Sequence, residues 1–128
     1  MGRYLLDTHT AIWFFNGDSA LSETAKKIIL DTSNIKYLNI ASAWEIAIKL
    51  SIGKLDITGN TADFIRDAET NGFIFIPIKT SHLTVLESLP LIHRDPFDRL
   101  LIATAISEQM TFISADKNAV KYDVPLVW

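Results

Sequence analysis

Two apolar rhythms alternate along the chain, and their alternation predicts its architecture. Arg3 to Leu6 reads as a short apolar strand that Asp7 ends. Thr8 to Phe15 then carries Ala11, Ile12 and Phe15 at helical spacing, with Asp7 or Thr8 as cap and Asn16-Gly17-Asp18 as the turn that follows. Ser22 caps a second helix through Leu30, with Ala25, Ile28 and Ile29 facing inward. A strand over Tyr37 to Ile40 leads to a helix from Ala43 to Ile52 that is apolar nearly all round. Ser42 and Glu45 have the spacing of a capping box at its start, and Gly53 ends it. Leu55 to Ile57 reads as a brief extended piece, and a helix runs from Asn60 or Thr61 to about Thr70, stopped by Asn71-Gly72. A strand over Phe73 to Ile78 follows, then a helix from His82 to Leu89 capped by Ser81 and ended by Pro90. Asp95 suits an N-cap and Pro96 the first helical position of the next helix. Strands over Thr111 to Ser114 and Val124 to Val127 complete the chain.

This alternation argues an α/β sandwich around a mostly parallel sheet. Crossovers of one hand place every strand's C-terminal end on one edge, and ligands bind there, where the strand order reverses. Four acids fall at that edge: Asp7 after the first strand, Glu45 in the first turn after the second, Asp98 at the head of the helix from Pro96, and Asp116 just after the fourth strand. Asp98 stands out. It shares a helix face with Leu101, Ile102 and Ala105, in a helix whose residues 100–106 are apolar except for Thr104. A carboxylate heading a core-facing stripe needs a cation, strong donors or a proton.

Each acid also has a plain structural role. Asp7 serves as an N-cap, Glu45 pairs with Lys49, Asp98 complements the helix dipole, and Asp116 sits in a turn. Taken singly, those roles suffice for Asp7, Glu45 and Asp116; four acids on one edge favour function. Clustered carboxylates cannot all ionise without compensation, and hard divalent ions such as Mg²⁺ or Mn²⁺ supply it through oxygen ligands. One or two such ions activate a water and steady the leaving oxygen of a phosphodiester.

Composition narrows the picture further. The 128 residues predict one domain, 1–128, with a core that needs no staples. There is no cysteine, which removes disulfide and thiolate chemistry and fits a reducing, cytoplasmic setting. No apolar run reaches the length of a membrane span, Asp7 and His9 interrupt any signal-peptide pattern, and Leu6 stands where myristoylation wants Ser or Thr. The net charge of −3 exerts no global pull on nucleic acid, so phosphates must be held by metal or by a local basic rim. Arg94, Arg99, Lys49 and Lys117 are the candidates for that rim, with Thr8 and Ser114 as supporting hydroxyls. Asp95 is explained as a cap. His9, His82 and His93 lack metal-triad spacing; His93, next to Arg94, is placed to touch substrate, but an exposed loop histidine is the commoner case.

Four segments together resemble the signature of PIN-domain ribonucleases: Leu5-Leu6-Asp7-Thr8-His9, Ser42 to Lys49, His93 to Ala103, and Ile113-Ser114-Ala115-Asp116-Lys117. The similarity is greatest to the VapC-type toxins of bacterial toxin–antitoxin pairs. It implies a three-layer α/β/α fold with a parallel sheet of about five strands. It also implies Mg²⁺- or Mn²⁺-dependent cleavage of RNA by the quartet Asp7, Glu45, Asp98 and Asp116, with homodimers and inhibition by a small antitoxin protein. A receiver domain would place adjacent acids after the first strand, but Thr8 follows Asp7; a haloacid-dehalogenase-like enzyme would place Asp where His9 stands. A non-catalytic PIN-like interaction module is the remaining alternative, with Trp13-Phe14-Phe15 as an interface cluster.

Overall fold

The strands are β1 (Arg3–Leu6), β2 (Ile35–Asn39), β3 (Ile74–Ile76), β4 (Thr111–Ile113) and β5 (Leu126–Val127). In a computed structural model of the chain, which describes residues 2–128, they form one sheet in the order β3-β2-β1-β4-β5. Every neighbouring pair is parallel. Helices α1 (Thr8–Asn16) and α2 (Glu23–Leu30) connect β1 to β2; α3 (Ile40–Ser51) and α4 (Thr61–Thr70) connect β2 to β3. Helices α5 (Thr80–Ser88) and α6 (Pro96–Glu108) return the chain to β4, and a single 3-10 turn at Ala119–Lys121 precedes β5.

The strand period of two divides the core. Leu6 and Ile113 pack on one face with Ile12, Ala25, Ile29 and Phe64, from α1, α2 and α4. Leu5 and Phe112 pack on the other with Leu101, Ile102 and Ala105 of α6. The result is the expected three-layer α/β/α sandwich with a parallel five-stranded sheet. The chain moves outward from β1 to β3, then crosses back to β4 on the other side of β1. The order therefore reverses between β1 and β4, and the C-terminal ends of those two strands flank a crevice. Among the described residues no helix is long and apolar enough to cross a membrane.

Three expected caps are in place, Asp7, Ser22 and Asp95, and Asn60 caps α4; each accepts a backbone N–H of the first turn. Two others are corrected. Helix α3 starts at Ile40, and Asn39 caps it by accepting the Ala41 N–H at 2.8 Å. Ser42 lies inside that helix, buried, and its hydroxyl accepts from Thr8 at 2.9 Å, so Ser42 and Glu45 form no capping box. Helix α5 starts at Thr80 rather than after Ser81. There the buried His82 ring accepts the Lys79 N–H through Nδ1 and meets Glu108 through Nε2 at 2.8 Å. That bond, with Lys79 beside it, holds the Glu108 carboxyl below its ordinary range.

Strand bounds differ for physical reasons too. β2 begins at Ile35, which pairs with Arg3 of β1; Lys36 beside it is buried, with its ammonium donating to the Ile29 carbonyl at 2.9 Å. β3 and β5 are shorter than their apolar runs. Leu55 to Ile57 forms no strand; Leu55 and Ile57 cover the core as irregular chain.

Asn39 also donates to Thr104 of α6 at 3.2 Å, linking the two helices across buried ground. Asn39→Ala removes a cap and leaves a buried polar contact unmade. Urea denaturation should show a loss of about 2 kcal/mol with the fold retained.

Candidate active site

Asp7 stands at the end of β1 and is buried. Its Oδ1 accepts the Thr10 N–H at 2.7 Å and its Oδ2 the Ser114 hydroxyl at 2.5 Å. Ser114 follows β4, so this carboxylate bridges the two strands where their order reverses. The Ser114 oxygen also accepts the Asp116 N–H at 3.0 Å. That contact sets the turn carrying Asp116, whose Oδ1 accepts from the Asn118 N–H at 2.9 Å.

Asp98 arrives from the opposite direction. Asp95 caps α6 by accepting the Phe97 N–H at 2.8 Å, and Pro96 fills the first position. Burial, followed by the charge of Asp95, raises the Asp98 carboxyl from 3.8 to about 7; Glu45 and Asp7 push the same way and His93 opposes them. A cleft of about 440 Å³ is lined by Asp7, Asp98, Asp116 and His93, with His9 and Trp13 of α1 on its flank.

Three of the four acids thus share one cleft. Glu45 does not line it; its charge is nevertheless felt at Asp98. Glu45 is buried on α3, with Oε2 at 3.0 Å from Lys49 Nζ. Its Oε1 is buried without a hydrogen-bond partner among the described residues. Among the described residues, ligand atoms of His93, Asp98 and Asp116 all lie within 4.8 Å of one another. The sequence favours an exposed loop position for His93, with substrate contact as the alternative. His93 is instead largely covered, with Nε2 at 2.6 Å from Asp116 and 3.1 Å from Asp98. Its spacing of five before Asp98 in a Pro-broken segment carries no periodic signal.

The supporting residues divide. Thr8 and Ser114 are buried hydroxyls inside the network, and Lys49 is spent on Glu45. Arg94 and Lys117 are exposed beside His93 and Asp116, where a basic rim would lie. Arg99 is not part of that rim. Its guanidinium donates to the Pro90 carbonyl at 2.8 Å and to the Tyr122 hydroxyl at 3.2 Å, and so braces the loop before α6.

These residues fit a hard divalent cation. The acids offer oxygen only, one buried carboxylate oxygen is unpartnered, and Asp98 is desolvated among like charges.

The family model of the PIN domain matches residues 4–125. The chain belongs to the PIN-domain family. No curated protein sequence matches it. Among solved structures it resembles a chain of VapBC2 from Rickettsia felis, bound to a DNA fragment from its promoter. The TM-score is 0.73 at 13% identity, covering 98% of this chain and 97% of that one. It also resembles a chain of a toxin–antitoxin complex from Klebsiella pneumoniae, with TM-score 0.67, 16% identity and coverage of 98% and 96%. For FitAcB from Neisseria gonorrhoeae the TM-score is 0.64 at 15% identity, with coverage of 98% and 96%. At these identities the likeness is one of fold.

The raised Asp98 carboxyl links stability to pH. Between about pH 4 and 7 the folded chain holds a proton there that the unfolded chain has lost, so stability falls as pH rises through that window. In the presence of chelator, thermal denaturation of Asp98→Asn should lack this component, and the variant should gain most over the wild type above pH 7.

Proposed function

We propose that this chain is a divalent-metal-dependent endoribonuclease, the VapC-type toxin of a toxin–antitoxin pair. The observation that carries the reading is the shared cleft of Asp7, Asp98 and Asp116 at the β1–β4 reversal, with the Glu45 charge bearing on it. Membership of the PIN-domain family supports the nuclease class.

In this reading Asp7, Glu45 and Asp98 would hold the ion, and Asp116 would complete the site directly or through water. Mg²⁺ or Mn²⁺ bound there would supply positive charge for the phosphodiester and a more acidic attacking water. The protein's part is placement. Thr10 and Ser114 orient Asp7, Lys49 orients Glu45, and His93 and Asn118 orient Asp116. Arg94 and Lys117 meet the phosphates entering the cleft, with the 5′-phosphate and 3′-hydroxyl as products. The acidic balance of −3 makes RNA binding depend on the ion and on salt.

The solved structures described as toxin–antitoxin or VapBC assemblies support a cognate antitoxin as partner, and a basic side chain from such a partner would answer the same acids. A homodimer has an apolar surface available to it. Trp44, Ile48, Leu83, Leu86 and Phe97 line a groove of about 430 Å³ between α3, α5 and α6, and Trp44 is 60% exposed. Trp44→Lys should shift the protein to monomer in light scattering while the far-UV spectrum is kept; an unchanged mass would place self-association elsewhere.

Purified protein freed of antitoxin should cleave structured RNA with Mg²⁺ or Mn²⁺ and stop on addition of chelator. Asp7→Asn should reduce cleavage to background in a folded protein, and Ser114→Ala should weaken metal affinity or activity by about 10- to 100-fold. Cleavage by Asp7→Asn at the wild-type rate would refute the assignment. Absence of any chelator-sensitive cleavage would favour the non-catalytic interaction module.

A further inference from the structure

His93 is the one non-acid in the tight cluster, and its ring is held on both sides. Nδ1 lies 3.2 Å from the Asp95 backbone nitrogen, a group that can only donate. Nδ1 is therefore the acceptor, and the ring proton sits on Nε2. Nε2 stands 2.6 Å from Asp116 Oδ2 and 3.1 Å from Asp98 Oδ2. The backbone is pinned as well. The His93 N–H donates to the Tyr122 hydroxyl at 2.8 Å, and that hydroxyl donates to the Pro90 carbonyl at 2.9 Å. Tyr122 is itself buried in the core face beneath α6.

We infer that His93 is a positioning residue: a fixed Nε2–H donor that holds the Asp116 carboxylate beside Asp98 and is not a ligand of the ion these acids bind. The inference rests on reading the cleft as a divalent-cation site.

Hydrogen-bond chemistry separates the two roles. An imidazole that ligates a metal binds through a bare nitrogen, and its other nitrogen gives an N–H to an acceptor. Here the other nitrogen faces the Asp95 N–H, so ligation through Nε2 would set one N–H against another. Donation from Nε2 to Asp116 and acceptance at Nδ1 from the Asp95 N–H give each ring nitrogen a matching partner. Asp116 is then held at both oxygens, by His93 and by the Asn118 N–H. With the imidazole excluded as a ligand, the protein donors around the ion are carboxylate oxygens. Such a set suits Mg²⁺ or Mn²⁺ over the softer ions that imidazole favours.

Three measurements on the full chain test this. Imidazole ¹⁵N NMR of the metal-free protein should show the Nε2–H tautomer at His93; the Nδ1–H tautomer overturns the inference. Pulsed EPR of the Mn²⁺-loaded protein should show no directly coupled histidine nitrogen, and such a coupling from His93 overturns it. In calorimetry, His93→Ala should weaken Mn²⁺ binding by about 10- to 100-fold. His93→Gln, whose amide N–H reaches the Nε2 position, should recover most of the loss; wild-type affinity in His93→Ala overturns the inference. Failure of the metal reading itself looks different: Mn²⁺ would bind the wild type and Asp7→Asn equally, with the His93 tautomer unchanged.

Discussion

The carboxylate of Asp7 joins three parts of the molecule at once. Its oxygens take the first-turn N–H of α1 and the hydroxyl that follows β4, while its own backbone N–H donates to the Ile113 carbonyl at 3.1 Å. Hydrogen bonds to a charged acceptor contribute about 1.5–3 kcal/mol each, so this residue is a joint of the fold as well as a wall of the cleft. The turn bearing Asp116 is set from the same point through Ser114. The geometry of the acidic edge is thereby tied to the closure of β1 against β4.

Gathering carboxylates works against stability, and the chain answers the repulsion differently at each acid. Asp7 is met by donors, Glu45 by the Lys49 ammonium on its own helix, and Asp116 by an imidazole and a backbone N–H. Asp98 receives less and shifts toward its protonated form. The least compensated groups, Asp98 and the bare oxygen of Glu45, are those whose environment a cation would change most.

Precision at the cleft comes from packing remote from it. Helix α6 is buried along Leu101, Ile102 and Ala105, and Thr104 is satisfied by the Leu100 carbonyl and by Asn39. Its N-terminus, and so Asp98, cannot shift without disturbing that core. The loop before it is held by Tyr122 and Arg99. Arg99 looked in sequence like a cation for substrate, yet it serves the loop, because a guanidinium beside free carbonyls finds bonds that do not depend on a ligand.

Local chemistry determined much in advance. Apolar period, caps such as Asp95-Pro96 and the placement of acids after strands were enough for the α/β class, the parallel sheet and three of the four acids in one cleft. The false capping box at Ser42 arose where a side chain that suits a helix start found a partner across the fold, Thr8, and at α5 the ring of His82, not Ser81, takes the N–H of Lys79. The buried Lys36 hid the start of β2 for a like reason: its ammonium is met by the Ile29 carbonyl and the face of the Phe73 ring, partners that the sequence does not announce. His93 was legible as part of the segment before α6, but its tie to Asp116 was not. Nothing in its neighbours along the chain announces Asp116, which lies 23 residues on, and it takes the packing of α6 and the turn after β4 to set them side by side. Spacing along the polymer encodes contacts made within a turn or a strand; contacts between segments are decided when the core closes, because only then do their donors and acceptors meet.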